Sequence, residues 1–242
     1  MGFEVIPAID LRAGRVVRLV EGDFARETRY SDDPETVARG FVVAGARWLH
    51  VVDLDGAKGE GRQTDTVERI VRAVAGRAAC QVGGGLRSAE AVAATLGTGA
   101  SRVVLGTAIL NDPDLAGTLV TAHGPARIVA ALDVRDGQAV GDGWVSGTTG
   151  RDVVEAIAAL ADADVVRFVV TSIARDGALG GPDLALLERL VAMDRGAVIA
   201  SGGISSIADL EAVRDIGCEA AIVGRAIYED RVDLAAALAT LA

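Results

Sequence analysis

Two aspartates beside apolar runs are the side chains of this sequence best placed to move protons. Asp10 follows the run 3–9, and Asp133 closes the run 126–133. If these runs are the first and fifth strands of an eight-stranded barrel, both carboxylates lie at the carboxyl ends of opposite strands, where barrel enzymes do their chemistry. Partial removal from water raises a carboxyl pKa, so two carboxylates in unlike surroundings can act as base and acid. The alternative interpretation, a helix cap or salt-bridged strand end, explains one aspartate better than two at equivalent places.

A further carboxylate, Asp176, lies in the loop 171–177 after a later apolar run. Its counterpart in the first half of the chain is Asp55, and we match Asp53 with Thr171, which lies 118 residues later. Asp-Gly is also an ordinary turn signal, so Asp55 and Asp176 can be turn residues instead. Asp176 is therefore a third candidate for proton transfer.

Glycine-rich loops after four of the predicted strands indicate two sites for anionic groups. They contain Gly83, Gly84, Gly85, Gly106 and Thr107 in the first half, and Ser201, Gly202, Gly203, Gly224 and Arg225 in the second. Glycine lets backbone N–H groups approach an anion, and the helix that follows adds its free N–H groups and positive dipole end. Turns without a ligand are the alternative, but two matching pairs favour an elongated substrate with a phosphate at each end. A valine at Gly203 should then raise KM.

Two arginines could add positive charge to these loops. Arg225 directly follows the last glycine loop of the second half, and Arg87 follows the first glycine loop of the first half. Arg87 can equally be a solvated residue at the start of a helix.

The apolar pattern predicts eight strands, each followed by a helix. The predicted strands are 3–9, 47–53, 78–82, 101–106, 126–133, 165–172, 196–201 and 218–224. The predicted helices lie near 34–45, 65–75, 88–98, 112–122, 150–162, 183–192, 205–216 and 231–241, and Asp33-Pro34 and Asp112-Pro113 mark two of their starts. This is the pattern of a single (β/α)8 TIM barrel of the α/β class, and 242 residues suit one such domain.

An internal repeat divides the predicted barrel into two half-barrels, about 1–122 and 123–242. The segments 81–110 and 199–228 align without a gap at a spacing of 118 residues. Asp10 and Asp133 correspond at a spacing of 123 residues. Both the predicted chemistry and the predicted structure are therefore duplicated.

The composition limits the classes of partner. A net charge of −10 argues against binding to nucleic acid or to an anionic membrane surface, because both need basic surface. The chain has no uninterrupted apolar run of about 18 residues, the length expected of a membrane-spanning helix. Cys80 and Cys218 each fall in a predicted strand, so we expect buried free thiols and a cytoplasmic protein.

No motif for a metal or a cofactor is evident. His50 and His123 have no metal-ligand spacing with each other or with the cysteines; we expect a core hydrogen bond at His50 and a helix end near His123. The sequence has no P-loop, no dinucleotide fingerprint and no nucleophile with a neighbouring base. Proton transfer by carboxylates, without metal or cofactor, is the chemistry that remains.

Motifs along the whole chain resemble a known family. They are Ile6-Pro-Ala-Ile-Asp10-Leu-Arg, Gly14-Arg-Val-Val-Arg18-Leu, His50-Val-Val-Asp-Leu-Asp-Gly56-Ala, Gln81-Val-Gly-Gly-Gly85, Leu132-Asp133-Val-Arg, Gly143-Trp144, the segment 171–177 and Ala200-Ser-Gly-Gly203. The sequence is similar to the phosphoribosylformimino-aminoimidazole carboxamide ribotide (ProFAR) isomerases of histidine biosynthesis. The resemblance implies an Amadori rearrangement, in which a bisphosphorylated aminoaldose becomes an aminoketose.

The same resemblance implies roles for particular residues. Asp10 is the expected base at the substrate C2, and Asp133 is the expected acid with Asp176 as its rival. Other expected substrate contacts are Arg18 and Trp144, from mobile loops, and Thr171 and Gly177. The segment 12–32 could close over the mouth as a lid and exclude water.

Two relatives of this family need to be distinguished. The sister cyclase has Cys where Ala8 stands and Lys near Arg18, so we expect no obligate glutaminase partner here, and a monomer. The dual-substrate relative, which also isomerises phosphoribosylanthranilate, carries Arg before the Gly-Trp pair, where this chain has Asp142. An acidic side chain should repel the anthranilate carboxylate, so we favour the single substrate and keep the dual activity as the alternative. A phosphosugar-binding barrel without activity is a further alternative.

Overall fold

The parallel strands of the chain close into a barrel, as the apolar pattern predicts. The computed structural model describes residues 2–20, 22–141 and 150–241. Its strands are β1 (Glu4–Arg12), β2 (Arg15–Val20), β3 (Asp23–Ser31), β4 (Trp48–Asp53), β5 (Ala79–Gly83), β6 (Arg102–Leu105), β7 (Ile128–Arg135), β8 (Gln138–Val140), β9 (Arg151–Asp152), β10 (Arg167–Ser172), β11 (Ala197–Ser201) and β12 (Ala220–Val223). The parallel order β1, β4, β5, β6, β7, β10, β11, β12 returns to β1, which closes the (β/α)8 barrel.

Helices follow the barrel strands and cover them. They are α1 (Pro34–Val43), α2 (Leu54–Lys58), α3 (Thr64–Val74), α4 (Ala89–Gly97), α5 (Thr107–Asn111), α6 (Pro113–His123), α7 (Val153–Asp162), α8 (Leu184–Val191), α9 (Ile207–Asp215), α10 (Arg225–Tyr228) and α11 (Leu234–Leu241). Asp33 and Asp112 cap α1 and α6 with proline in the first turn, as predicted. Within the described part of the chain, no helix is long and apolar enough to cross a membrane.

The barrel strands are buried on both faces, which explains their nearly continuous apolar runs. Small aliphatic side chains fill much of the barrel interior, with Trp48 packed against them; they are Ile6, Ala8, Val104, Val129, Val169, Ile199, Ala220 and Ile222. The alternate residues of the same strands, such as Val5 and Ile9 of β1, belong to the larger core under the helices. Side chains of this size fill a narrow interior, in agreement with an aromatic content of only 3%.

Equivalent positions of the two halves adopt the same local conformation. Ser88 and Ser206 cap α4 and α9 with φ of −147° and −151°. Gly106 and Gly224 precede α5 and α10 with φ of −107° and ψ of −107° and −99°. These pairs lie 118 residues apart, the spacing of the predicted repeat.

Two antiparallel hairpins extend the barrel strands and were not predicted. In both turns the central residues have positive φ, 47° and 75° at Ala13-Gly14 and 51° and 77° at Asp136-Gly137, as in a type I′ turn. The first turn leads into β2, which pairs with β1 and β3. Of the segment 12–32, where we predicted a loop, the described residues therefore form the paired strands β2 and β3, because the turn reverses β1 directly into β2.

Candidate active site

A buried ion pair lies where β1 reaches the mouth, which we define as the end of the barrel formed by the strands' carboxyl ends. Arg18 Nη1 donates to Asp10 Oδ2 at 2.8 Å, and both side chains are 13% exposed. The hairpin makes this contact possible, since it pairs Asp10 with Val17 and brings Arg18 back over the barrel. Arg18 therefore lies on a strand, although we predicted a loop.

The surroundings of Asp10 make it a stronger base than an exposed aspartate. Burial raises its pKa above the ordinary 3.8, the Arg18 guanidinium opposes this rise, and the negative charge of Asp176 adds to it. Asp10 is thus a carboxylate whose proton affinity depends on two neighbours in the mouth. This is the electrostatic setting expected of a general base.

A cavity in the second half of the mouth, which we call the Gly202 cavity, brings eight predicted site residues together. These eight are Arg18, Asp176, Gly177, Ser201, Gly202, Gly203, Gly224 and Arg225, and Leu179, Ile204 and Ile222 complete the lining. The Arg18 guanidinium packs so closely that a Cβ on Gly224 would lie 2.3 Å from Nη2. Arg225 donates to the carbonyl of Gly177 and to Glu229.

One donor in this cavity is unused by the protein. Over residues 2–20, 22–141 and 150–241, Arg18 Nε is the buried side-chain polar atom without a hydrogen-bond partner. Leaving such a donor unpaired is costly, so the hydrogen-bonding capacity of the Arg18 guanidinium is not fully used within the protein. A guanidinium of this kind at the edge of a cavity suits an oxygen-rich anion.

Asp133 lies on β7, opposite β1, and its pairing with the next strand of the barrel is equivalent to that of Asp10. Asp10 pairs in register with Val52, and Asp133 pairs with Thr171, which in turn pairs with Ser201 of β11. Thr171 is 7% exposed and lies on the inward face of β10. The two aspartates therefore occupy equivalent places, as predicted.

The match of Asp53 with Thr171 is wrong by one residue. The structure makes Val52 the counterpart of Thr171, and because side chains alternate across a strand, Asp53 points to the other face. There it is 2% exposed and accepts hydrogen bonds from the backbone N–H groups of Gly56 and Gln63, each at 2.8 Å. Asp53 therefore stabilises the loop.

The other first-half residues also make contacts within loops. Arg87 donates to the carbonyls of Gly56 and Ala57 at 3.1 and 2.7 Å, so its guanidinium is engaged by the protein. Asp55 lies in α2 and accepts from the Ala13 N–H of the β1–β2 turn at 2.8 Å, a contact between segments 42 residues apart. Gly83 ends β5, Gly84 and Gly85 follow it, Gly106 precedes α5 and Thr107 begins α5. Trp144 and Asp142 lie outside the described residues.

Sequence reasoning missed a tyrosine under the mouth. Tyr228 donates to the carbonyl of Ala8 at 2.8 Å, and its ring packs against Tyr30 of β3 at 4.7 Å. The hairpin is thereby fastened to the last part of the chain. No local pattern signals a contact between residues 220 positions apart.

Gly203 shows why a substitution in this loop tests folding before it tests anion binding. Its φ is +83°, and an added Cβ would lie 2.3 Å from the carbonyl oxygen of Gly181. We expect Gly203→Ala to lower the free energy of unfolding by at least about 1–2 kcal/mol, the usual cost of the left-handed conformation, with the clash in addition. Our prediction that a valine here would act on KM therefore needs revision.

Urea unfolding measures this effect, with Gly97→Ala as the matched control. Gly97 lies in α4 with open space around its Cα, so alanine there should leave stability unchanged or raise it. Equal stability of the two variants would contradict the strained conformation at Gly203.

Known proteins resemble this chain over nearly its whole length. Residues 4–233 match the family model described as "Histidine biosynthesis protein". The chain is 51% identical over 232 residues to a protein of Thermomicrobium roseum (94% of this chain, 93% of the relative), and 46% identical over 242 residues to one of Moorella thermoacetica (98% of each). A Roseiflexus castenholzii protein is 46% identical over 238 residues (98% of this chain, 99% of the relative).

These three relatives carry one name, 1-(5-phosphoribosyl)-5-((5-phosphoribosylamino)methylideneamino) imidazole-4-carboxamide isomerase. Both the family model and the relatives cover the barrel and the Gly202 cavity. The chain belongs to the histidine biosynthesis protein family, as a homologue of its imidazole-4-carboxamide isomerases.

Proposed function

We propose that this protein is an intramolecular aldose–ketose isomerase that converts the bisphosphorylated aminoaldose ProFAR into its aminoketose. The observation that carries the proposal is the buried Asp10–Arg18 pair beside the Gly202 cavity. One group can accept a carbon-bound proton there, and the neighbouring donors can hold a phosphate.

The reaction needs one acid and one base on opposite sides of the sugar. An acid first protonates the ring oxygen, the C1–O bond breaks, and the nitrogen lone pair forms a C1=N bond. Asp10 then takes the proton from C2, and the electron pair of that bond moves through C1 to the nitrogen. The resulting enaminol gains a proton at C1 and loses one from the C2 hydroxyl, which gives the ketone.

Asp133 is our proposed acid, because it lies on the strand opposite Asp10 in the equivalent register position. Asp176 is its rival, since it lines the Gly202 cavity and its charge acts on Asp10. The variants Asp133→Asn and Asp176→Asn separate the two. The variant that lacks the true acid should not turn over substrates that require ring opening. The other variant should keep measurable turnover of the same substrates.

Phosphate binding is proposed at both sides of the mouth. Ser201, Gly202, Gly203, Gly224 and Arg225 would hold one phosphate, with Thr171 and Gly177 nearby. Gly83, Gly84, Gly85, Gly106 and Thr107, with Arg87, would hold the other, and Trp144 would contact the substrate between them. The glycine loops supply backbone N–H donors, and Arg18 and Arg225 supply positive charge on the second side.

Turnover assays with two purified aldoses test the proposed function. We expect conversion of ProFAR and no conversion of phosphoribosylanthranilate. Conversion of both would favour the dual-substrate alternative, and tight binding without conversion would favour a phosphosugar-binding barrel and contradict the isomerase.

We also propose that residues 1–242 are one domain of two half-barrels, 1–122 and 123–242, that acts in the cytoplasm as a monomer without a glutaminase subunit. The buried free thiols of Cys80 and Cys218 are compatible with a reducing compartment. Light scattering of the purified protein tests the monomer.

A further inference from the structure

A chain of three polar side chains runs along the inside of the barrel on neighbouring strands. Arg102 Nε of β6 donates to Gln81 Oε1 of β5 at 2.8 Å, and Gln81 Nε2 lies 2.8 Å from His50 Nδ1 of β4. Gln81 is fully buried and Arg102 is 4% exposed. Polar groups buried this deeply in a barrel interior need a reason, because apolar side chains fill such a space at lower cost.

The chemistry of these groups allows a single arrangement of hydrogens. A guanidinium only donates, so the Gln81 oxygen must face Arg102 and the Gln81 amide nitrogen must face His50. That nitrogen also only donates, so His50 Nδ1 must accept and cannot carry a proton. The neutral ring therefore carries its proton on Nε2.

The surroundings of His50 keep the ring neutral. Burial and the positive charges of Arg18 and Arg102 lower its pKa to about 3. Arg102 is held by its stacking on Trp48, with 4.0 Å from the guanidinium carbon to the ring centre. His50 thus has the properties of a fixed neutral donor at any pH where the enzyme is expected to work.

His50 lies on the strand next to that of the proposed base, one inward-facing position lower in the barrel. It pairs in register with Ala8, two residues before Asp10, whereas the residue opposite Asp10 is Val52. His50 Nδ1 faces the fully buried Gln81, so Nε2 on the opposite edge of the ring is the nitrogen left for a contact outside this chain of side chains. Arg18, the partner of Asp10, is also near enough to influence the His50 pKa.

We propose that Arg102 and Gln81 are positioning residues that hold His50 as an Nε2–H donor, and that His50 donates a hydrogen bond to the oxygen on the substrate C2. The second part rests on the proposed function, in which Asp10 removes the proton from that same carbon. The C2 oxygen is a hydroxyl in the aldose and a carbonyl in the ketose, so it can accept throughout. A neutral imidazole can polarise such an oxygen without transferring a proton.

Nitrogen NMR of the ring tests the positioning directly. The chain has only two histidines, so His123→Gln leaves a single signal set from His50. We expect the Nε2–H tautomer, without titration between about pH 5 and 9, in agreement with a strongly lowered pKa. An Nδ1–H tautomer, or titration in this range, would overturn the positioning, and neither result depends on catalysis.

Gln81→Glu connects the tautomer to turnover. A carboxylate at this place accepts from His50, so the ring should move its proton to Nδ1 or become charged. We expect kcat to fall about ten-fold, the effect of one lost hydrogen bond at a reacting centre. A changed tautomer with unchanged kcat would overturn the substrate contact while leaving the proposed isomerase intact.

Two variants guard against a general folding defect. Ile199→Val changes the position that corresponds to Gln81 in the second half, where no polar chain exists among the described side chains, and it should leave tautomer and kcat unchanged. In Arg102→Met the amide group of Gln81 loses the partner of its oxygen and can rotate, so either its oxygen or its nitrogen can face His50. We therefore expect a mixture of His50 tautomers, with the His50 ring still inside the barrel. A pure Nε2–H ring in Arg102→Met would show that Arg102 does not position His50.

Discussion

Replacing Asp10 with asparagine is expected to lower kcat by about 10²–10⁴-fold, the usual contribution of a general base. Asparagine keeps the shape of the side chain, and its amide oxygen can still accept from Arg18 Nη1, which lies 2.8 Å from the carboxylate in the native protein. The change therefore removes the base with little disturbance of the mouth. Steady-state kinetics gives kcat, and calorimetric titration with the aminoketose product gives the affinity.

The affinity for the product should stay within about three-fold of the native value. Loss of a base slows the proton-transfer step but removes no contact that holds the substrate and the transition state equally. Asp23→Asn, on the exposed strand β3, is the control for a charge change without a role in the mouth. Near-native turnover in Asp10→Asn would remove Asp10 as the base.

Replacing Arg18 with methionine should have the second largest effect, with two separable parts. The loss of a guanidinium from the Gly202 cavity should raise KM for a phosphorylated substrate by about ten-fold or more, as for a lost charge-assisted hydrogen bond. The second part concerns the acid limb of kcat/KM, the pH below which activity falls because Asp10 takes up a proton.

The direction of this shift follows from the charges around Asp10. Arg18 lowers the pKa of Asp10 against the rise caused by burial, so its removal raises that pKa further. The base is then protonated at a higher pH, and the acid limb moves up. Asp176→Asn should move it down, since the charge of Asp176 raises the pKa of Asp10.

Arg12→Met is the matched control for Arg18→Met. Arg12 also lies at the end of β1, but it pairs with Glu27 on the outside of the hairpin with 27% of its side chain exposed. We expect no shift of the acid limb in this variant. A downward shift in Arg18→Met, or equal shifts in both arginine variants, would contradict the described electrostatics of Asp10.

The barrel could be predicted from the sequence because its strands and helices are strongly periodic. The predicted strands and major helices match the structure to within a few residues, and Asp10 and Asp133 follow from the strand count. His50 makes the core hydrogen bond that we expected, and His123 ends α6. Composition and strand order are thus enough for the architecture and for the position of the mouth.

The contacts that set the chemistry of Asp10 could not be predicted in the same way. The Arg18–Asp10 pair depends on a type I′ turn, and Ala13-Gly14 is a weaker signal for that turn than Asp136-Gly137. The mistaken match of Asp53 arose because the spacing of the repeat is 118 residues at Gly84 but 119 between Val52 and Thr171. An apolar run does not show where the extra residue lies.

The chain Arg102–Gln81–His50 illustrates a different limit. All three residues lie in predicted strands, but their contact needs the correct register of three neighbouring strands at once. A shift of one residue in any strand would turn the side chain to the helix layer. Sequence periodicity fixes the strands far better than it fixes this register.

Removal of the C2 proton of a bisphosphorylated aminoaldose by Asp10 is best tested with substrate deuterated at C2. We expect the native protein to convert this substrate with a primary isotope effect on kcat/KM, and Asp10→Asn to leave the deuterium in place. Because the ketone carbon of the product carries no hydrogen, the label must leave C2 whenever the substrate is converted. Loss of the label in Asp10→Asn at the native rate would therefore contradict proton transfer by the aspartate of β1.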